Sequence, residues 1–475
     1  MNVLLINPPA ENLIRESLPT VVEDCTGVYP PLGLLYVAAY AESLPGCNLK
    51  LLDCQAEHYS HKELASIIRS FAPDVVGIQA MTFTMIDVLK VAENVKIVAP
   101  RAIVVAGGPH PTLYPRETVN LAPIDAVVFG EGEIAFQAIL QRKERRESLD
   151  NIPSVMTKES AKRTDLDLSL QYIPDLNVLK MPSRHLLNLS RYYSPMASSR
   201  YVTTMMSSRG CPCRCTFCDR PQMGKVFRKR SAQNVFEEMS YCVKELGIGE
   251  IIFYDDTFTI DQGRVLELCD ILEHEKLQVR WDIRARVDTM TPEMIRCLKR
   301  AGCVRIHYGV ESGNARIQKE IRKNLNLDQV KEVFLATHKE GIETLGYFMI
   351  GLPTETLADV EMSLDLLVNL EMDFASITVF TPYPGTEIYK QAVVEGIYKK
   401  DYWREFACNP TPEFIPKFWN EHFSDVQLWD LLKLGYKRFY RRPRYILNRV
   451  LRIKSPVEFT RKVILGVKLL REVSK

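Results

Sequence analysis

The stretch SSRGCPCRCTFCDRP, Ser207–Pro221, crowds four of the chain's twelve cysteines into eight residues. Three of them, Cys211, Cys215 and Cys218, form C-x3-C-x2-C, a spacing that lets one loop aim three thiolates at one centre. A structural zinc site closes its tetrahedron with a fourth ligand, commonly from a second Cys or His pair. The chain has no second C-x2-C, although scattered His or Cys leave that reading open. A 4Fe–4S cluster normally takes four Cys, so three would leave one iron open to a substrate or cofactor.

The sequence around this loop sets the architecture. From Tyr201 onward, YVTTMMSS, EIIFYDDTF (Glu250–Phe258), QVRWDIRARVD (Gln278–Asp288), CVRIHYGVESG (Cys303–Gly313), ETLGYFMIGLP (Glu343–Pro353) and FASITVFTPYPG (Phe374–Gly385) read as strands separated by helical stretches. Six βα units predict a partial (β/α)6 barrel with its site at the carboxyl ends of the strands. The N-terminal part has the same α/β rhythm. NVLLIN (Asn2–Asn7), LKLLD (Leu49–Asp53), DVVGIQA (Asp74–Ala80), AIVVAGG (Ala102–Gly108) and DAVVFG (Asp125–Gly130) alternate with helical patterns at Pro31–Leu44 and Phe83–Val98. They predict a doubly wound, Rossmann-like parallel sheet whose ligand sits beyond the carboxyl edge. Asn7-Pro8-Pro9, Gly107-Gly108-Pro109 and Gly130-Glu131-Gly132-Glu133 occupy that edge; no G-x-G-x-x-G follows the first strand, which weakens a nicotinamide dinucleotide reading. The expected boundaries are 1–140 for the first domain, 141–195 for a linker with little regular structure, 196–400 for the barrel and 401–475 for a helical, basic C-terminal region.

Bulk properties narrow the class. At 475 residues, with 46% hydrophobic and 25% charged residues, the chain reads as a soluble, multidomain globular protein. The Met1 end lacks a basic n-region, and no apolar run reaches the ~18 residues of a membrane span. A cytoplasmic location with reduced thiols is expected. The net charge of +2 hides an asymmetry: Leu431–Lys475 carries fourteen Lys+Arg against two Asp+Glu. Such a tail suits an anionic surface.

C-x3-C-x2-C just after a strand, with Phe217 before the last Cys, resembles the radical S-adenosylmethionine superfamily. The resemblance implies a 4Fe–4S cluster on Cys211, Cys215 and Cys218. Its open iron would bind the amino and carboxylate groups of S-adenosylmethionine, and electron transfer from the cluster would then cleave a C–S bond to give a 5′-deoxyadenosyl radical. Phe217 would pack near the adenine. FYDDTF is similar to the family's second-strand motif, making Asp255 and Asp256 cofactor candidates. DIRARVD likewise offers Arg284 and Arg286, and GVESGN offers Glu311 and Ser312 near the ribose or carboxylate. Taken singly, each is bland: Asp255 also reads as a loop cap and Glu311 as a barrel-end ion pair. Cys213 departs from the family pattern, which is similar to RGCPFRCTFC, and reads as a passenger; an alternative ligand or an oxidation liability is the other reading.

The first domain resembles the cobalamin-binding domain of one large subclass, through LLINPP, YPPLGLLYVAAYAE, LLDCQAEHYS, VVAGGPHPTLYPRET and VVFGEGE in that order. Asn7, Pro8, Gly107, Gly108, Gly130 and Glu131 then become cobalamin contacts. The axial-His motif D-x-H-x-x-G is absent: DCQAEH puts Gln55 at the His position, and His58 falls three residues late. No axial His is expected, and His58, His61 and His110 read as surface or loop residues. Together the resemblances imply a cobalamin-dependent methyltransferase that consumes two S-adenosylmethionine molecules per turnover and takes electrons from a flavodoxin- or ferredoxin-type donor. In the tail, Val463, Ile464, Val467 and Leu470 recur at helical spacing with Arg461, Lys462, Lys468 and Arg471 between them, as in an interfacial amphipathic helix or a solvated helix docked on the barrel. FYRRPRYIL is similar to tails of members acting on tetrapyrroles and polyisoprenoid lipids, so a large apolar substrate of tetrapyrrole/bacteriochlorophyll type or a lipid, and contact with the inner membrane face, are expected. No nucleic-acid module is evident. An anaerobic oxidative cyclase, a cobalamin sensor and a zinc-stabilised nucleic-acid binder are the competing readings.

Overall fold

The computed structural model describes residues 1–14, 27–165, 168–219, 221–419 and 421–451, with side chains to 447. The tail positions 461–471 lie outside the described residues. Among those described, no helix is long and apolar enough to cross a membrane.

The N-terminal sheet contains β1 (Asn2–Asn7), β2 (Asn48–Asp53), β3 (Val75–Gln79), β4 (Ile103–Gly107), β5 (Ala126–Val128) and β6 (Val155–Thr157), in the order β2-β1-β3-β4-β5-β6. The first five are parallel, in register from Asn7 opposite Asp53 to Ile6 opposite Ile78. Successive side chains of a strand point to opposite faces, and this sheet uses both. Val3 and Leu5 pack with Leu35, Ala38, Phe136 and Ile139 of helices Leu32–Glu42 and Gly132–Arg145. Leu4 and Ile6 pack with Leu64, Ile68, Val88 and Val91 of helices His61–Phe71 and Met85–Val98. A parallel strand buried on both faces reads as an unbroken apolar run, as LLI does. Besides four short 3-10 helices, the linker reading of 141–195 missed one strand: β6 joins β5 antiparallel. Three residues give too short a periodic signal to stand out from loop.

The second sheet orders β14 (Phe374–Val379), β13 (Glu343–Ile350), β12 (Cys303–Glu311), β11 (Arg280–Ala285), β10 (Glu250–Phe253) and β7 (Val202–Met205), all parallel. Its two outer strands, β7 and β14, do not pair, so the barrel stays open, as expected. A short antiparallel hairpin, β8 (Ser208–Arg209) with β9 (Arg228–Lys229), frames the cysteine loop.

Helix Asp425–Tyr440 closes the β14 edge, whose outward N–H and C=O groups have no strand partner. The Tyr436 hydroxyl accepts from Ile377 N at 3.1 Å and donates to Ile377 O at 3.0 Å. Tyr440 does the same for Ala375, at 3.2 and 3.1 Å. Tyr436→Phe strips two buried backbone groups of their partner. We expect it to cost ~1–3 kcal/mol, read as a lower urea midpoint, with Tyr440→Phe costing less because Tyr440 is only half-buried.

Candidate functional site

The cysteine loop is held by its backbone before any metal is considered. Gly210 has φ +77°, and a Cβ there would lie 2.3 Å from Val226 O and 2.8 Å from Met223 O. Only glycine fits that left-handed, crowded position. Cys211 N donates to Gly224 O, Thr216 N to Ile321 O, and Ile388 N to Thr216 O, tying the loop to both ends of the barrel sequence. Cys211 and Cys215 are buried; Cys213 and Cys218 are half-buried.

The loop suits a cluster of thiolates. The Arg286 guanidinium donates to Cys215 Sγ at 3.7 Å, and Cys211 Sγ meets the Thr257 hydroxyl at 3.7 Å. N–H groups aimed at sulfur stabilise thiolate ligands and tune a cluster's potential, while the Thr257 hydroxyl donates to Asp256 O at 2.8 Å. Among the described residues no three His, Cys, Asp or Glu gather as around one ion; in a cubane each thiolate binds its own iron. Burial and the hydrogen bond to Cys211 hold the Cys213 thiol above its ordinary pKa, with the Cys211 bond the larger cause.

The expected S-adenosylmethionine contacts separate into groups. Phe217, Arg286 and Glu311 converge beside the loop. Arg286 is fixed by Asp288 at 2.8 and 2.9 Å and by Lys323 O at 2.9 Å. Lys323 pairs with Glu311 at 3.0 Å and sits 6.0 Å over the Phe217 ring. Glu311 adopts φ +69°, at a register shift in β12. A Cβ on Gly309 would come 2.4 Å from Glu311 Oε1 and 2.7 Å from Lys323 Nζ, so glycine there makes room for the pair. Arg284 donates to Phe253 O and lies 4.7 Å over the Tyr254 ring. Asp255 is fully buried and accepts from Ser207 N, Ser207 Oγ and Ser208 Oγ, bracing the strand that enters the cysteine loop. Ser312 is packed against Ser363, and Asp256 is exposed.

A cavity of about 530 Å³ lies where the two domains meet. Asn7, Gly107, Gly108, Gly130 and Glu131 line its N-terminal side; Met206, Arg209, Gln222, Met223 and Tyr254 line the barrel side. Pro8 is buried, and its carbonyl accepts from Gln55 Nε2 at 3.1 Å. The wall fits a large flat ligand. A Cβ on Gly33 would meet nothing within 4 Å, and one on Gly107 only Val128, from 3.7 Å. Gly108 has φ +132°, and a Cβ there would be 2.7 Å from Ala80 O.

Among the described residues no His lines this cavity; Gln55 does. Asp53 accepts from Asn7 Nδ2 at 2.7 Å, from Tyr192 Oη at 2.9 Å and from the amides of Gln55 and Ala56. His61 is bound to Asp87 at 2.8 Å. His110 corrects the surface reading: it is fully buried, contacts Thr82 at 3.2 Å, and burial pushes its pKa down to about 3. The short helix Pro109–Leu113 that carries it packs inward.

Sequence reasoning missed Tyr36, Arg209, Tyr254 and Lys323. Arg209 stood inside the cysteine motif and Tyr254 inside FYDDTF, but nothing local distinguishes a cavity-facing Tyr or Arg from any other.

The comparisons agree with both halves. The B12 binding domain family matches residues 19–140, and the radical SAM superfamily matches residues 205–367. An uncharacterized methyltransferase of Pyrococcus horikoshii is 34% identical over 451 residues, covering 94% of each chain. The anaerobic magnesium-protoporphyrin IX monomethyl ester cyclase of Cereibacter sphaeroides is 27% identical over 88% of this chain and 68% of its own. The fold matches that of OxsB, a cobalamin-dependent S-adenosylmethionine radical enzyme with aqua-cobalamin bound, at TM-score 0.68 and 16% identity over 99% of this chain and 72% of that one. With two domains in this order, a cysteine loop built for thiolate ligands and a glycine-walled cavity between them, the chain belongs to the cobalamin-binding radical S-adenosylmethionine enzymes, which work with a 4Fe–4S cluster, S-adenosylmethionine and cobalamin.

Proposed function

We propose that this enzyme transfers a methyl group to an unactivated carbon of a large, mostly apolar substrate, a tetrapyrrole or a lipid. The observation that carries the reading is the junction cavity, bounded on one side by the cobalamin-type loops and on the other by the barrel next to the cysteine loop. When bound, the cofactors supply a hydrogen-abstracting radical and a transferable methyl group. The chain supplies placement. Cys211, Cys215 and Cys218 hold the cluster; Phe217, Arg284, Arg286 and Glu311 orient S-adenosylmethionine. Asp255 acts behind them by holding Ser207 and Ser208. Asn7, Gly107, Gly108 and Gly130 form the cobalamin floor. Leu13, Met81, Phe83, Met206 and Met223 give the cavity an apolar lining that excludes water and suits an apolar partner. A flavodoxin- or ferredoxin-type donor supplies electrons, and the basic tail favours a place at the inner membrane surface.

A second reading, ring closure without methyl transfer, is supported by the similarity to the cyclase. Anaerobic turnover with methyl-deuterated S-adenosylmethionine, against tetrapyrrole and polyprenoid substrates, separates the two. We expect a trideuterated methyl in the product and two S-adenosylmethionine consumed per turnover. An oxidised, unlabelled ring product overturns the methyltransferase reading, and turnover confined to small polar substrates overturns the substrate class.

A further inference from the structure

We propose that Arg209, Glu131 and Glu133 are positioning residues that couple occupancy of the cysteine loop to the affinity of the cobalamin cavity. The inference rests on the family's cofactors and goes beyond them, because it links two sites through named side chains.

Arg209 immediately precedes Gly210 and Cys211, on the β8 strand of the hairpin that frames the cysteine loop. Its cross-strand neighbour in the hairpin is Arg228. Two like charges directly opposite each other destabilise such a pair, and a two-stranded ribbon has little stability of its own. The compensating charge comes from the other domain. Glu131 Oε1 lies 2.7 Å from Arg228 and 3.1 Å from Arg209, and Glu133 Oε1 lies 2.5 Å from Arg209. The second oxygen of Glu131 accepts from Ile173 N at 2.6 Å. The Arg209 guanidinium also sits 5.3 Å over the Tyr36 ring, and Arg228 4.7 Å over Tyr172. All four charged side chains are at most 7% exposed.

Glu131 and Glu133 belong to the loop and helix start that follow β5, and both line the cavity. Breaking a buried ion pair from one end is far costlier than never forming it, because the remaining charge stays desolvated. A cluster bound to Cys211, Cys215 and Cys218 pins the hairpin and thereby Arg209. Without iron nothing links the three cysteines, the loop loosens, and two carboxylates in the cavity wall lose their counter-ion. The cavity then binds its ligand less well, and by linkage cobalamin tightens the cluster loop by the same factor.

The test is the dissociation constant of hydroxocobalamin for the full chain, before and after anaerobic reconstitution with iron and sulfide. We expect at least ~5-fold tighter binding to the reconstituted protein. In Arg209→Met and Glu133→Gln the ratio of the two constants should collapse to about 1, while Arg209→Lys, which keeps the charge but not the fork, should retain part of it. A variant that merely damaged the cavity would weaken both states equally and keep the ratio. Equal affinities in both states of the wild type overturn the coupling and leave the family reading intact; a wild-type ratio preserved in Arg209→Met and Glu133→Gln overturns the assignment to these residues. Absence of cobalamin binding in either state would instead be a failure of the cofactor reading.

Discussion

Cys213→Ala retains its iron and sulfide, whereas Cys211→Ala, Cys215→Ala and Cys218→Ala each lose them, with activity falling below detection: this is the expected result for anaerobically purified variants assayed for iron, labile sulfide and 5′-deoxyadenosine formation. The four thiols share eight residues but not one environment. Cys211 and Cys215 are buried and meet hydrogen-bonding groups from β-strand ends, Thr257 and Arg286 respectively. Cys218 N donates to Cys215 O at 3.3 Å, so the last two ligands share one tight turn. Cys213 falls between Cys211 and Cys215, off the C-x3-C-x2-C spacing, and its thiol is half-buried. Equal loss of iron in Cys213→Ala would show that the ligand set is wrong.

A second large effect is expected from Glu355, just beyond β13 in the turn GLPTET. Glu355 Oε2 accepts from Gly351 N at 2.7 Å and Leu352 N at 3.1 Å, while Oε1 is buried with no hydrogen-bond partner. Burial, opposed by those amides and reinforced by Asp359, pushes its pKa up to about 7; Arg316 pulls it back only in part. The unfolded carboxyl titrates near 4.5. Below that pH both states are protonated and burial costs nothing extra. As pH rises, the unfolded state ionises first, so the native state loses stability until its own carboxyl ionises near pH 7. The accumulated loss is up to ~3 kcal/mol. Glu355→Gln keeps an acceptor for the two amides and does not titrate. Its urea midpoint should match wild type near pH 4.5 and exceed it above pH 7. Asp282, raised to about 6 by burial, has the same sign but cancels in the comparison because both proteins carry it. Parallel curves for the two proteins would refute this account of the Glu355 site.

What was legible locally follows from what the physics makes local. LLI in β1 is apolar at every position because both sheet faces are covered, and β1 has the bounds read from the sequence. The cysteine spacing marked the loop as a candidate metal site from within fifteen residues; that Gly210 is held at φ +77° against Val226 O was seen only in the structure. Asn7, Gly107, Gly108, Gly130 and Glu131 were readable as an edge because parallel strands that alternate with helices end on one side. Gln55, which stands where the axial-His motif has its His, lines the cavity.

Other features have no local signal. His110 looks like a loop residue until Phe406, from a helix near the opposite end of the chain, packs 6.3 Å from its ring. Asp255 and Ser312 sit in motifs that suggested cofactor contacts, yet their side chains hold Ser207, Ser208 and Ser363. Whether a polar side chain faces a ligand or braces a strand depends on a rotation about one bond, which neighbours distant in sequence decide.

The sequence alone determined the two α/β domains, their order and the place of the cysteine loop, because these depend on periodicity and on spacing within a few residues. Only the tertiary structure decided that the cysteine hairpin leans on the cobalamin-side loop. Arg209 and Glu131 are far apart in the chain, and a like-charged pair such as Arg209 and Arg228 finds its counter-ion only where the two domains meet.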